Sequence, residues 1–253
     1  MRVHVVSDVH GATEALARAG DGADALICLG DLVLFLDYAD HSRGIFPDLF
    51  GVDNAHRMVE LRTARLFDEA RALDRRLWDG IDRRSTIETA VRKQYAELFA
   101  AFPTPTYATY GNVDIPQLWP EYAAPGTTVL DGATAEIGGR VFGFVGGGLR
   151  TPMRTPFEVD EAEYAAKVEA LGPVDVLCSH IPPAIPELCY DTEARRFERG
   201  SEALLEAIRR LRPKYAVFGH VHQPLVARTR IGPTELVNVG HFNHTRTPWA
   251  MEW

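Results

Sequence analysis

Cysteine is scarce in this chain: three among 253 residues, an odd number and too few for a disulfide framework. Cys28 and Cys178 each close an apolar run, Leu26-Ile27-Cys28 and Val176-Leu177-Cys178, where a small buried hydrophobe belongs. Long hydrophobic runs are missing too, and none approaches the roughly 20 residues of a membrane span. No leader pattern opens the chain, since Met1-Arg2-Val3-His4-Val5-Val6 reads directly as a strand, so the expected location is the cytoplasm. Basic residues are outnumbered, 27 Lys and Arg against 35 Asp and Glu, for a formal charge of −8. No Lys/Arg-rich face stands out, which argues against a long nucleic-acid strand as partner. The excess of acid suits a chain that holds divalent cations. With 46% hydrophobic and 25% charged residues, a packed core is expected rather than disorder.

Short β-branched apolar runs recur at Val3–Val6, Ala25–Leu29, Thr106–Tyr110, Val141–Val145, Val174–Cys178 and Tyr215–Phe218. Each is followed by Gly, Asp, Asn or His, the pattern of strands buried on both faces of a sheet. Helical spacing lies between several of them, at Thr13–Ala19, Glu161–Ala170 and Ser201–Leu211. Ser201 is placed to cap the last of these, which stops before Pro213. Such alternation predicts an α/β sandwich of mixed sheets. Further strands are expected at Leu225–Thr229, Glu235–Val239 and Trp249–Trp253, and the proline-rich stretch 181–186 is expected to be loop.

About 80 residues separate Asp31 from Gly111, far beyond an ordinary connection. Leucines, alanines and aromatics recur at helical spacing over Asp53–Asp79 and Ser85–Phe102. We expect one domain over 1–253, with a helical insertion or cap at about 40–103 that ends at Pro103 and Pro105. Its mixed charges fit a solvated face. The insertion could shape substrate access or pair with a second copy in a homodimer. His41 and His56, within it, read as surface or capping residues.

The residues at the strand ends carry the chemistry. Asp8 and His10 follow the first run, Asp31 the second, and Asn112 the third. His180 follows Cys178-Ser179, and His220 with His222 follows Phe218-Gly219. In open α/β sheets, ligands gather at the carboxyl ends of strands, so seven Asp, His and Asn donors converge on one rim. Carboxylate mixed with imidazole suits Mn, Fe or Zn rather than calcium, which prefers oxygen alone.

This ordered set, Asp8-Val9-His10, Gly30-Asp31, Gly111-Asn112-Val113-Asp114, His180 and Gly219-His220-Val221-His222, resembles the pattern of the calcineurin-like metallophosphoesterases. The resemblance spans nearly the whole chain outside the insertion. It implies a four-layer αββα sandwich, two mixed sheets flanked by helices, with two metal ions at the strand ends. It implies one ion on Asp8, His10, Asp31 and His222, and the other on Asp31, Asn112, His180 and His220. Asp31 then bridges, and a shared anionic carboxylate is a physical answer to the repulsion between two cations about 3.5–4 Å apart. The implied reaction is attack of a metal-activated water on a phosphodiester or small organic phosphate, a nucleotide among the candidates. A phosphomonoesterase and a catalytically silent metal-binding scaffold are the alternatives.

One position departs from the pattern. Many members carry a histidine after Gly-Asn that assists the leaving group, whereas this chain has Val113 and so resembles a bacterial phosphodiesterase-like branch that lacks it. Asp114 matches the family's acidic position, in support of the metal ligands or as a turn cap. His241, in Asn238-Val239-Gly240-His241, is a candidate to face substrate, and His244 a weaker one. Gly146-Gly147-Gly148 follows a strand and lets another segment approach closely. Arg150 and Arg154 behind it are candidates to grip a second phosphate or a ribose.

Overall fold

The computed structural model describes all 253 residues, which divide into two compact units: Met1–Leu32 with Leu98–Trp253, and Val33–Glu97. The larger unit holds two mixed sheets. In the first, Arg2–Val6 lies between Trp249–Glu252, antiparallel, and Ala25–Cys28, parallel; Thr106–Ala108 and Thr127–Val129 continue it in parallel. In the second, Arg140–Val145, Val176–Ser179, Tyr215–Phe218 and Thr234–Asn238 are parallel neighbours. Antiparallel strands Ala133–Ile137 and Arg228–Ile231 close its edges.

Side-chain alternation explains the layering. Val3, Val5, Ala25 and Ile27 from the first sheet share one core with Phe142, Phe144, Val176, Cys178, Val217 and Val237 from the second. The intervening residues Leu177, Ala216, Phe218 and Leu236 point the other way. There they pack with Tyr164 and Val168 of the helix Glu161–Ala170 and with Leu204, Ala207 and Ile208 of the helix Glu202–Leu211. On the outer face of the first sheet, buried His4 bonds through Nδ1 to the carbonyl of Ala19 at 2.8 Å, just beyond the helix Thr13–Leu16. Period-2 strands thus bury both faces, and the four-layer αββα arrangement follows. Ser201 caps its helix, accepting the N–H of Leu204 at 3.2 Å.

The smaller unit is helical, with Ile45–Phe50, Val52–Thr63, Phe67–Leu77 and most of Arg83–Ala101. It has its own core of Phe46, Met58, Leu61 and Leu73. Gln94 clamps Leu34 from both sides, accepting its N–H at 2.9 Å and donating to its carbonyl at 3.0 Å.

The structure corrects several expected boundaries. The periodic run Asp53–Asp79 is two helices, because Arg65 turns left-handed (φ 60°) between them. The strand expected at Leu225–Thr229 begins only at Arg228. The N–H groups of Leu225 and Val226 go instead to the carbonyls of Tyr190 and Glu187, 3.0 Å each, outside the sheet. The proline-rich loop ends at Pro186, which opens the short helix Pro186–Cys189. Cys28, Cys178 and Cys189 are all free and buried, and burial pushes the Cys28 thiol up to about 12. No helix is long and apolar enough to cross a membrane.

Candidate metal centre

The seven donors expected from the sequence all lie in the larger unit, and the strand ends bring them together. After Val6 and Cys28 the chain turns through left-handed conformations at Asp8 (φ 56°), His10 (φ 39°) and Asp31 (φ 53°), and His220 (φ 67°) does the same after Phe218. Left-handed non-glycine residues cost roughly 1–3 kcal/mol and cluster at functional sites. Hydrogen bonds repay that strain. The Asp8 carboxylate accepts the N–H of His220 through Oδ2 at 2.9 Å. Asp31 accepts the N–H of Val113 through Oδ1 at 2.9 Å. Gly219 is required, since a Cβ there would overlap Ser7 Oγ and Asp8 Oδ2.

Three sets of donors gather: Asp8, His10 and Asp31; Asp31, His180 and His220; and His10, His222 and His241, each set with its ligand atoms within 4.8 Å of one another. Asp31 belongs to two. Its Oδ2 lies 3.9 Å from His10 Nε2 and 3.5 Å from His180 Nε2. Asp8 Oδ1 lies 3.4 Å from His222 Nε2 and 4.0 Å from His10 Nε2. Donors held about 2.0–2.2 Å from one ion stand about 3.0–4.2 Å from each other, so these separations suit a shared cation better than direct hydrogen bonds.

A buried orphan supports that fit. Asp8 is 1% exposed, and its Oδ1 has no hydrogen-bond partner. A buried carboxylate left so is costly unless a positive charge meets it. Burial opposes the charged forms of Asp8 and Asp31, yet the surrounding imidazoles win. Asp8 is held well below the usual range, most by His222, and Asp31 is lowered to about 2, most by His180. On His180 burial is likewise overcome, and Asp31 with Asp8 and Asp114 pushes it up to about 9. His222 is raised against burial by Asp8, while burial and His180 lower His220.

The supporting residues fix orientation. His180 is fully buried, and its Nδ1 stands 2.9 Å from the carbonyl of Leu29. A carbonyl only accepts, so Nδ1 donates to Leu29, and Nε2 is left facing Asp31 and Asn112 Oδ1, 3.0 Å away. It meets these two acceptors as N–H without a metal, and a cation can share their side once that proton leaves. Asn112 donates from Nδ2 to Thr155 Oγ1 at 2.9 Å, and Thr155 donates to Glu158 Oε1 at 2.8 Å. That chain leaves the amide oxygen facing the site. Neither Thr155 nor Glu158, at the start of the short strand Glu158–Val159, is marked by a sequence motif. The glycine run admits this approach, since a Cβ at Gly148 would meet Asn112 Cβ at 2.9 Å.

Asp114 stands behind the donors, accepting the N–H groups of Asp31 (2.8 Å), Leu32 (3.0 Å) and Gly111 (2.8 Å). Burial, then the Asp31 charge, pushes it up to about 7. His241 stacks on His222, ring centroids 3.8 Å apart, while His244 is exposed. Arg150 has Asp160 as its ion-pair partner at 3.9 Å, and Arg154 is exposed. His41 and His56 pair through their Nδ1 atoms at 2.9 Å on the surface of the helical unit.

A double-sheet sandwich with buried carboxylates and imidazoles at its strand ends is the architecture of a metal-dependent phosphoesterase. The sequence profile of the calcineurin-like phosphoesterases matches residues 1–224, and the chain belongs to that family. It is therefore a hydrolase of phosphoric esters. Among solved structures it is similar to the protein TT1561 of Thermus thermophilus, at 14% identity and a TM-score of 0.54, over 99% of this chain and 98% of that one. It also aligns with a presumed 5'-nucleotidase from Staphylococcus aureus solved with alpha-ketoglutarate, at 15% identity and a TM-score of 0.47. That alignment takes in 97% of this chain but only 49% of the other. No curated protein matches the chain.

Proposed function

We propose that the chain hydrolyses a phosphodiester or an activated small organic phosphate, nucleotides included, with two metal ions held at the strand ends. The observation that carries this reading is the place of Asp31, whose Oδ2 lies between His10 Nε2 and His180 Nε2 at 3.9 and 3.5 Å. One ion falls to Asp8, His10, Asp31 and His222, the other to Asp31, Asn112, His180 and His220. When bound, the ions supply Lewis acidity, lowering the pKa of water and drawing charge from phosphate oxygens. Mn, Fe or Zn fits this mixture of donors.

The protein's own share is orientation. Asp8 and Asp31 bring negative charge on carboxylates fixed by backbone N–H groups, and the imidazoles and the Asn112 amide complete the shells without adding more. Asp114 holds the turns that carry Asp31 and Asn112. The preference for diesters or good leaving groups rests on Val113, which has no proton to give. In the helical unit, Tyr38, Val52, Leu66, Phe67 and Ile81 are exposed apolar side chains, a set that suits self-association; light scattering tests it. We take the substrate to be small rather than a long nucleic acid, in keeping with the formal charge of −8, and the place of turnover to be the cytoplasm.

A panel with Mn added tests the function: bis-p-nitrophenyl phosphate, p-nitrophenyl phosphate, cyclic nucleotides and single-stranded DNA. Faster hydrolysis of the diesters is the expected result. Preference for unactivated monoesters would overturn the diester reading, and two bound ions without turnover would make the chain a scaffold.

A further inference from the structure

The seven donors of the family pattern leave His241 without a role, and its surroundings are built rather than accidental. His241 follows Gly240 (φ 90°) in a turn tied to both elements that carry the Asp8 and His222 donors. Asn238 makes one tie: its Oδ1 accepts the N–H of Gly240 at 2.9 Å while its Nδ2 donates to the carbonyl of Val221 at 2.9 Å. The next two residues make the other, with Phe242 N–H on the carbonyl of Ser7 and Asn243 N–H on that of Asp8, 3.0 Å each. Four hydrogen bonds therefore fix the His241 backbone against Asp8 and against the His220–His222 turn.

The ring is placed as carefully as the backbone. It lies nearly parallel to His222, 15° between planes and 3.8 Å between centroids, and edge-on to His10 at 5.6 Å. Nitrogens of the three rings stand within 4.8 Å of one another. The Nε2 of His241 is buried and has no hydrogen-bond partner. A buried ring nitrogen without a partner is costly, and three imidazoles facing one another repel once any two carry protons. Both costs vanish if the nitrogens share a cation.

We infer that His241 is a further protein ligand of the ion held by Asp8, His10, Asp31 and His222. This deepens the two-ion reading above and rests on it. The two positions then differ in kind. One ion has three imidazoles and two carboxylates around it; the other has two imidazoles, one carboxylate and one amide. The five-donor ion keeps fewer places for water or phosphate, so exchange and substrate contact concentrate at the ion of Asn112, His180 and His220. Five protein donors favour a metal that accepts five or six ligands, and because an imidazole lone pair lies in its ring plane, the nearly parallel His222 and His241 rings turn out of their stack to share it.

Pulsed electron paramagnetic resonance on the Mn-loaded full chain, with histidine labelled by nitrogen-15, counts imidazoles at each ion without any mutation. The expected count is three at one ion and two at the other. Chelator competition on His241→Ala and His241→Gln gives a second readout, with circular dichroism confirming the fold. Both variants should lose affinity for one ion only, by at least the roughly 10–100-fold that removal of an outer partner costs, while His244→Ala should bind as the parent does. Two imidazoles at each ion in the parent, or unchanged affinities in both variants, would overturn the assignment while leaving the two-ion reading intact. A parent chain that takes up no ion would overturn the two-ion reading and this inference with it.

Discussion

The carboxylate of Asp114 accepts the backbone N–H of Asp31 at 2.8 Å, so one buried acid fixes the turn from which another presents its charge. The same carboxylate accepts from Leu32 and Gly111, tying two strand ends that are about 80 residues apart in sequence. Removing it leaves three buried N–H donors unmet, each worth about 1–3 kcal/mol. Asp114→Ala should therefore lose about 3 kcal/mol or more in urea unfolding of the metal-free protein, and bind metal more weakly. A loss within about 1 kcal/mol would mean that water reaches these donors.

Substituting Asp31→Asn should weaken both ions together, since its Oδ2 faces donors from both sets. Elemental analysis and metal titration should show two ions falling in step, with hydrolysis abolished. Loss of one ion alone would count against a bridging carboxylate. The N–H of Val113 can still reach the amide oxygen, so the fold should survive the change.

Removing the Thr155 hydroxyl tests the positioning of Asn112. Thr155→Val leaves the Asn112 amide free to turn, and affinity for the ion of Asn112, His180 and His220 should fall about tenfold, at the lower end for loss of an outer partner. The other ion should be unaffected. A change at both would place Thr155 in the general stability of the rim instead.

Metal uptake should depend on pH through His180. Burial opposes its charge, but Asp31 and the neighbouring carboxylates push it up to about 9, so in the metal-free site a proton occupies the lone pair that a cation needs. Binding must displace that proton. Affinity for Mn should therefore rise with pH between about 7 and 9, by up to about tenfold per unit for each proton released, and level off above. Calorimetry in buffers of different ionisation heat counts the protons. Affinity flat across that interval would show that His180 is neutral before the metal arrives.

Much of this site is legible in the sequence because the chemistry falls where parallel strands stop. Asp8, Asp31, Asn112, His180 and His220 each follow an apolar run, and buried parallel strands write those runs plainly. Their supports are not legible in the same way. The Leu29 carbonyl that sets the His180 tautomer is a backbone group, with no residue type to mark it. Thr155 reaches Asn112 across 43 positions from a segment with no periodicity. The helical unit shows the complementary limit. Its spacing reveals helices, but the break at Arg65 depends on one left-handed residue that composition does not announce.

The last expectation concerns the leaving group. Position 113, where many relatives carry a histidine, holds a half-buried valine whose N–H is already committed to Asp31 Oδ1 at 2.9 Å. Valine can neither donate a proton to a departing oxygen nor hydrogen-bond it. General acid help is typically worth about 10²–10⁴-fold and matters most when the leaving group is poor. His241 does not restore it, because burial, followed by the field of His222, lowers it to about 3 and leaves it neutral at ordinary pH. Rates on a series of aryl phosphodiesters should therefore fall steeply as the pKa of the leaving phenol rises, and alkyl monoesters should be slowest. Single-turnover kinetics must establish first that chemistry limits the rate. A flat dependence under that condition would show that another group supplies the proton.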